Sequence, residues 1–199
     1  MKGKIFNAQE VQAMLNGSKV MFREVIKPQP NSNINPVKLD YLQRTWQWAT
    51  KESRRECPYQ VGQKIFCKES FSSYYEDDGL VRGDIFLYRA DEDSKELEDV
   101  DWKPAQQMKQ EHSRLTLLIK EIRVERLADI SEEDCIKEGI EKMWLEENED
   151  FPRYTFGKHS FFEVKKVFRD WWNATHKKPE EKFEANPFCW VVSFEVINN

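Results

Sequence analysis

Residues 113–126, Ser-Arg-Leu-Thr-Leu-Leu-Ile-Lys-Glu-Ile-Arg-Val-Glu-Arg, form a long β-rich stretch. Its later part sets Lys120, Arg123 and Arg126 against Ile122, Val124 and Leu127, the pattern of a strand with one wet face. A second run of this kind, residues 189–197, follows Asn186-Pro187-Phe188 and is apolar enough to be buried on at least one face. Shorter strands are predicted over 20–26, 64–69 and 85–89. The first of these ends at Pro28 and Pro30, which with Asn31, Ser32, Asn33, Asn35 and Pro36 make a turn-rich loop.

Helix signals lie between these strands. Asn7 stands before an apolar stripe of Val11, Met14 and Leu15, with Glu10 three residues on, which predicts a capped helix over 8–16 stopped by Gly17. The spacing of Leu39, Leu42, Trp46 and Ala49 predicts a helix over 38–50. Ser131 is expected to cap a short helix to about residue 138, with Gly139 ending it. Residues 159–174 carry Phe161, Phe162, Val164, Val167, Phe168, Trp171 and Trp172, a stripe broad enough to seat a helix on a sheet. Strands separated by turns, with helices at the beginning, middle and near the end, predict an α+β domain whose sheet curls into a small β-barrel with flanking helices. The expectation is one domain over 1–199, with insertions at about 31–56 and 91–112.

Composition excludes several function classes. Thirteen per cent aromatic residues provide the burial that a chain with 34% charged residues would otherwise lack. No apolar run approaches the roughly 18 residues needed to span a bilayer, and the start lacks the pattern of a secretion signal, so a cytoplasmic protein without membrane contact is expected. Cys57, Cys67, Cys135 and Cys189 form no CxxC pair and are expected to be reduced core residues. No HExxH, GxSxG, GxGxxG or P-loop spacing is present, so neither a metal nor a cofactor is expected.

The net charge of −5 is unevenly spread. Residues 1–73 carry 12 Lys/Arg against 6 Asp/Glu, residues 74–101 carry 3 against 11, and residues 102–199 carry 16 against 19. Nonspecific phosphate binders are usually basic throughout, because their affinity comes from neutralising many phosphates. A basic first third is instead suited to steering an anionic ligand to one face.

The chain carries a distinctive ordered set of blocks: Gly17-Ser18-Lys19, Arg23, Lys27-Pro28-Gln29-Pro30, Pro58-Tyr59-Gln60, Gly62, Lys68-Glu69, Tyr88-Arg89-Ala90-Asp91, Trp102-Lys103-Pro104 and Met108. They continue through Val124-Glu125-Arg126-Leu127, Ile130-Ser131-Glu132-Glu133-Asp134, Glu138-Gly139 and Glu184-Ala185-Asn186-Pro187 to Trp190-Val191. In this the chain resembles the ASCH family of the phage-encoded type, over nearly its whole length. The resemblance implies a PUA-like β-barrel with flanking helices and a cleft for RNA or a modified nucleobase. Some compact ASCH members are amidohydrolases of acylated cytidine nucleosides, with Lys-x-x-Thr after the first helix and a Glu on a later helix. Lys19 matches that Lys and Glu138 that Glu.

The Thr has no counterpart. Phe22 stands at the third position after Lys19 and Val20 at the first, and a phenyl ring can neither attack a carbonyl nor carry a covalent intermediate. The expectation is therefore a noncatalytic binder of RNA or a modified nucleoside. Lys19 would take an anion in a water-accessible cleft, and Glu138 would accept from an exocyclic amine. Arg23, Lys68 and Glu69, on strands around one barrel mouth, are expected to form an ion-paired cleft, the alternative being a purely structural pairing of Arg23 or Lys68 with Glu69. Trp102 beside Lys103 is suited either to anchoring a loop in the core or to stacking a base and holding its phosphate. The alternatives are an amidohydrolase of N4-acylated cytidine or another hydrolase, with Lys19 and Glu138 catalytic, and a phage assembly or host-interaction protein.

Overall fold

The computed structural model describes residues 1–30, 37–40, 45–47, 54–77, 82–91, 99–145 and 148–198. In chain order the elements are β1 (Lys2–Ile5), α1 (Ala8–Leu15), β2 (Met21–Val25), β3 (Val37–Asp40), β4 (Thr45–Gln47), β5 (Arg54–Glu56), β6 (Lys64–Lys68), β7 (Phe71–Asp77) and β8 (Arg82–Tyr88). They continue as β9 (Leu115–Arg126), α2 (Glu132–Lys137), β10 (Glu141–Leu145), β11 (Asn148–Phe156), β12 (His159–Phe161), α3 (Val164–Thr175) and β13 (Phe188–Asn198). This is a mixed α+β chain built around a multi-stranded sheet. Among the described residues the sheets are open, with no closed barrel.

The chain divides into two compact units. One comprises 1–17, 64–118 and 196–199, the other 18–63 and 119–195. In the first, β1 pairs parallel with β6, and β6 pairs antiparallel with the start of β9. A Cβ on Gly3 of β1 would come within 2.6 Å of the Phe66 ring, so any larger residue there would push that ring aside. Helix α1 begins as its sequence predicts: the Glu10 N–H donates to Asn7 Oδ1 at 3.0 Å, and the Asn7 N–H donates to Glu10 Oε2 at 3.0 Å. Val11, Ala13 and Met14 are its buried face, and Gly17 at φ +79° ends it. Strands β7 and β8 form a hairpin running from Phe71 opposite Tyr88 to Asp77 opposite Arg82.

In the second unit β9, β13 and β2 lie side by side in that order. The register of β13 on β2 sets Val191 opposite Arg23 and Val192 opposite Phe22. The Gln29 side chain works as an extra rung here. It donates to the carbonyls of Ile26 and Phe188, at 2.6 and 3.0 Å, and accepts from the Phe188 N–H at 2.8 Å. Helix α3 buries Val164, Val167, Phe168, Trp171 and Trp172. Trp171, Trp172 and Trp190 are core residues, as their apolar surroundings in the sequence predict.

Two expectations are corrected. Residues 37–40 and 45–47 are strands rather than parts of a helix over 38–50, and the buried Trp46 meets Trp190 edge-on at 4.9 Å. The remaining positions of that stretch, and residues 92–98 of the acidic run, lie outside the described residues. The helix expected over 159–174 starts at Val164, with Phe161 in β12 and Phe162 exposed before it.

Candidate functional site: a buried ionic hub

The sequence brings Lys19 and Glu138 together through backbone pairing. Ser131 caps α2 by accepting from the Asp134 N–H at 3.0 Å, and Gly139 at φ +103° turns the chain just after Glu138. Lys19 and Glu138 then form an antiparallel bridge, extended by the Val20 N–H donating to the Lys137 carbonyl at 2.9 Å. The Lys19 ammonium donates to Glu138 Oε2 at 2.9 Å and to the Glu138 carbonyl at 3.0 Å. A cation at the C-terminal end of a helix also meets carbonyls that have no intrahelical donor.

Arg23 extends this pair into a hub. Its Nη1 donates to Glu138 Oε1 at 2.8 Å, and its Nη2 donates to Asp134 Oδ2 at 3.0 Å and to Glu125. Asp134 in the first turn of α2 and Glu138 at its C-cap are four residues apart, the spacing that puts two side chains on one helical face. Arg123 and Glu125 are two apart on β9 and share a strand face. Arg123 donates to Asp134, and its Nε donates to Glu125 Oε2 at 3.2 Å. Three cations thus meet three carboxylates.

The hub is interior at Lys19, Arg23 and Glu138 and reaches solvent at Arg123. The Lys19 side chain is 0% exposed and that of Glu138 2%. Helix α3 walls it: the Trp171 ring centre lies 5.6 Å from the Lys19 ammonium, and the Phe168 ring centre 5.8 Å from the Arg23 guanidinium. Burial alone would lower the Arg23 pKa, but Glu138 and Glu125 outweigh it and hold the guanidinium firmly protonated. Arg23 Nε is buried and, among the described residues, without a hydrogen-bond partner. Phe22 is also buried, meeting Tyr59 edge-on at 5.3 Å. Burial pushes the Cys135 thiol up to about 12 and the Cys189 thiol up as well, which keeps both protonated and poorly nucleophilic.

The residues nominated from sequence fall into two groups. Lys19, Arg23 and Glu138 come together in one unit, whereas Lys68, Glu69, Trp102 and Lys103 belong to the other. Glu69 pairs with neither Arg23 nor Lys68, correcting that expectation. Its two carboxylate oxygens accept from Arg114 Nε and Nη2 at 2.9 and 3.0 Å, and Arg114 Nη1 reaches Asp91 Oδ1 at 2.6 Å. Burial raises the Glu69 pKa, and the Arg114 hydrogen bonds offset part of that rise. Lys68 Nζ donates to the Gln106 carbonyl at 2.6 Å. Trp102 is half-buried with the Arg89 guanidinium 5.6 Å from its ring centre, and Lys103 Nζ donates to Ser73 Oγ at 2.9 Å. An open polar cleft of about 580 Å³ in the same unit is lined by Lys109, Gln110, Glu111 and Thr116, none of them a nominated residue.

The water-accessible mouth expected around Lys19 is also corrected. The anion that Lys19 meets is the chain's own Glu138, held inside. Sequence reasoning missed Arg123, Glu125 and Asp134 as hub members. The Asp134/Glu138 spacing on a helix and the Arg123/Glu125 spacing on a strand were the signals that could have found them.

Among the described residues, no group of three or more His, Cys, Asp or Glu side chains could hold a metal ion. No helix there is long and apolar enough to cross a membrane. Comparison with protein-family models, with curated proteins and with solved structures finds no match.

Proposed function

We propose that the chain is a PUA-like, ASCH-type domain that binds RNA or a modified nucleobase without cleaving it. The observation that carries this reading is the Lys19–Glu138 pair, because the ASCH resemblance joins a Lys after the first helix to a Glu on a later one. The buried Arg23 Nε supports it further, as a donor suited to a base carbonyl and without a partner among the described residues. The barrel that the family implies belongs to the same proposal.

Two features argue against hydrolysis. Phe22 occupies the position of the family's Thr. Both Glu138 oxygens are already engaged by Lys19 and Arg23, which leaves the carboxylate poorly placed to take a proton from water.

The test is calorimetric titration of the folded protein with cytidine, N4-acetylcytidine, other modified nucleosides and single-stranded RNA at two salt concentrations. Saturable binding of at least one is expected, with the acyl group intact by mass spectrometry. Absence of binding across the panel would sink the proposal. Deacylation that disappears in Glu138→Gln would overturn its noncatalytic part.

A further inference from the structure

The sheet β10–β11–β12 carries aromatic side chains that the hub does not use. Where it packs, Phe156 of β11 is buried and meets Trp171 of α3 edge-on at 5.2 Å. Elsewhere the same segment leaves large apolar side chains in water: Met143 is 46% exposed, Trp144 59%, Phe151 65% and Phe162 52%. An apolar group of this kind marks an interaction surface more often than chance.

The charges around these rings narrow the partner. Lys142 Nζ lies 4.9 Å from the centre of the Trp144 ring, the Arg153 guanidinium 5.0 Å from Phe162, and Lys166 Nζ 4.1 Å from Phe161. In register, Lys142, Tyr154 and Phe161 stand opposite one another across the three strands. Over residues 141–169, which span these strands and the start of α3, six Lys/Arg stand against six Asp/Glu, a neutral balance in a chain of net charge −5, so it is the cations beside the rings that mark the surface. The acidic positions Glu149 and Asp150 stand at the start of β11. Lys158 follows its end, in the turn that Gly157 opens at φ +57°.

A protein-binding patch is usually depleted in charge at its centre. Here each of three rings has a cation beside it, which matches a nucleotide: the ring stacks a base and the cation takes the phosphate. We propose that β10–β12 and the start of α3 form a stacking surface for single-stranded nucleic acid. Trp144 and Phe162 receive bases, and Lys142, Arg153 and Lys166 receive phosphates. This surface goes beyond the hub reading and stands or falls separately from it.

The experiment titrates the full chain into 5′-fluorescein-labelled twelve-nucleotide oligo(rA) and oligo(dA), read by anisotropy between 50 and 200 mM salt. Saturable binding of one or both strands is expected, and comparing the two separates RNA from DNA preference. Trp144→Ala and Phe162→Ala should each weaken binding about tenfold. Arg153→Gln and Lys166→Gln should each make the salt slope shallower by about 0.7. Circular dichroism checks that each variant is folded. No binding by the wild type, or equal affinity in the two aromatic variants, overturns the proposal. So does a dimer in light scattering that Trp144→Ala dissolves, which would assign the patch to a second copy. Nucleoside binding, which reads the hub, should be unchanged in Trp144→Ala, so failure of one proposal is distinguishable from failure of the other.

Discussion

The Lys19 ammonium stands 5.6 Å from the centre of the Trp171 ring. The same ring meets Phe156 edge-on, so α3 is a wall shared by the ionic hub and the β10–β12 sheet. Truncating Trp171 to Ala would strip an apolar wall from a buried ammonium and open a cavity beside the sheet. The expected cost is about 3–5 kcal/mol, measured by urea denaturation, with Trp171→Phe costing clearly less. Equal losses in the two variants would contradict a packing role for the indole.

The hub itself predicts non-additive energetics. Glu138→Ala leaves Lys19 and Arg23 each short of a carboxylate oxygen in the interior, at an expected cost of about 3–5 kcal/mol. Lys19→Met should cost a similar amount alone. It should cost much less in the Glu138→Ala background, where it removes a charge that has lost its counterpart. Simple additivity in the double-mutant cycle would show that the two residues do not stabilise each other.

Glu69 gives a pH dependence. Burial raises its pKa despite Arg114, so the folded chain holds this proton more tightly than the unfolded chain does. The stabilisation from that proton is complete below the ordinary glutamate value and is lost as pH rises through the raised one. Wild-type stability relative to Glu69→Gln should therefore decline as pH climbs from 4 toward 7 in parallel urea titrations. A wild type that gains on the variant over this range would reverse the sign and refute the assignment.

The four cysteines are free and buried, and burial raises the pKa of Cys67, Cys135 and Cys189. A thiol-specific disulfide reagent at pH 8 should find none of the four in the native protein and all four after unfolding in urea. Rapid reaction of even one native thiol would contradict this burial.

What the sequence made legible was chiefly local. The Asn7/Glu10 box and the Ser131 cap each lie within four residues, and both form where they were expected. Lys19 and Glu138 were nominated through resemblance. The pattern of β9 marks Arg123 only as part of a wet strand face, because its partner Asp134 lies on another element and nothing in the strand's own sequence points there. The helix expected over 38–50 failed for a related reason: Trp46 packs against Trp190, a contact across 144 positions that outweighs local helical spacing. Strands β10 and β11 went unread. Their large apolar residues stay exposed, and Pro152 interrupts β11, so the alternation that marks a half-buried strand is missing.

The closed arithmetic of the hub, three cations against three acids, also constrains how such a chain can drift. A lone replacement at Lys19, Arg23 or Glu138 strands an opposite charge out of reach of water, while a matched swap of acid and base, or joint loss of both, does not. Evolutionary change at Arg23, Arg123, Glu125, Asp134 and Glu138 should accordingly travel in compensated steps, leaving a covariation signature linking β2, β9 and α2.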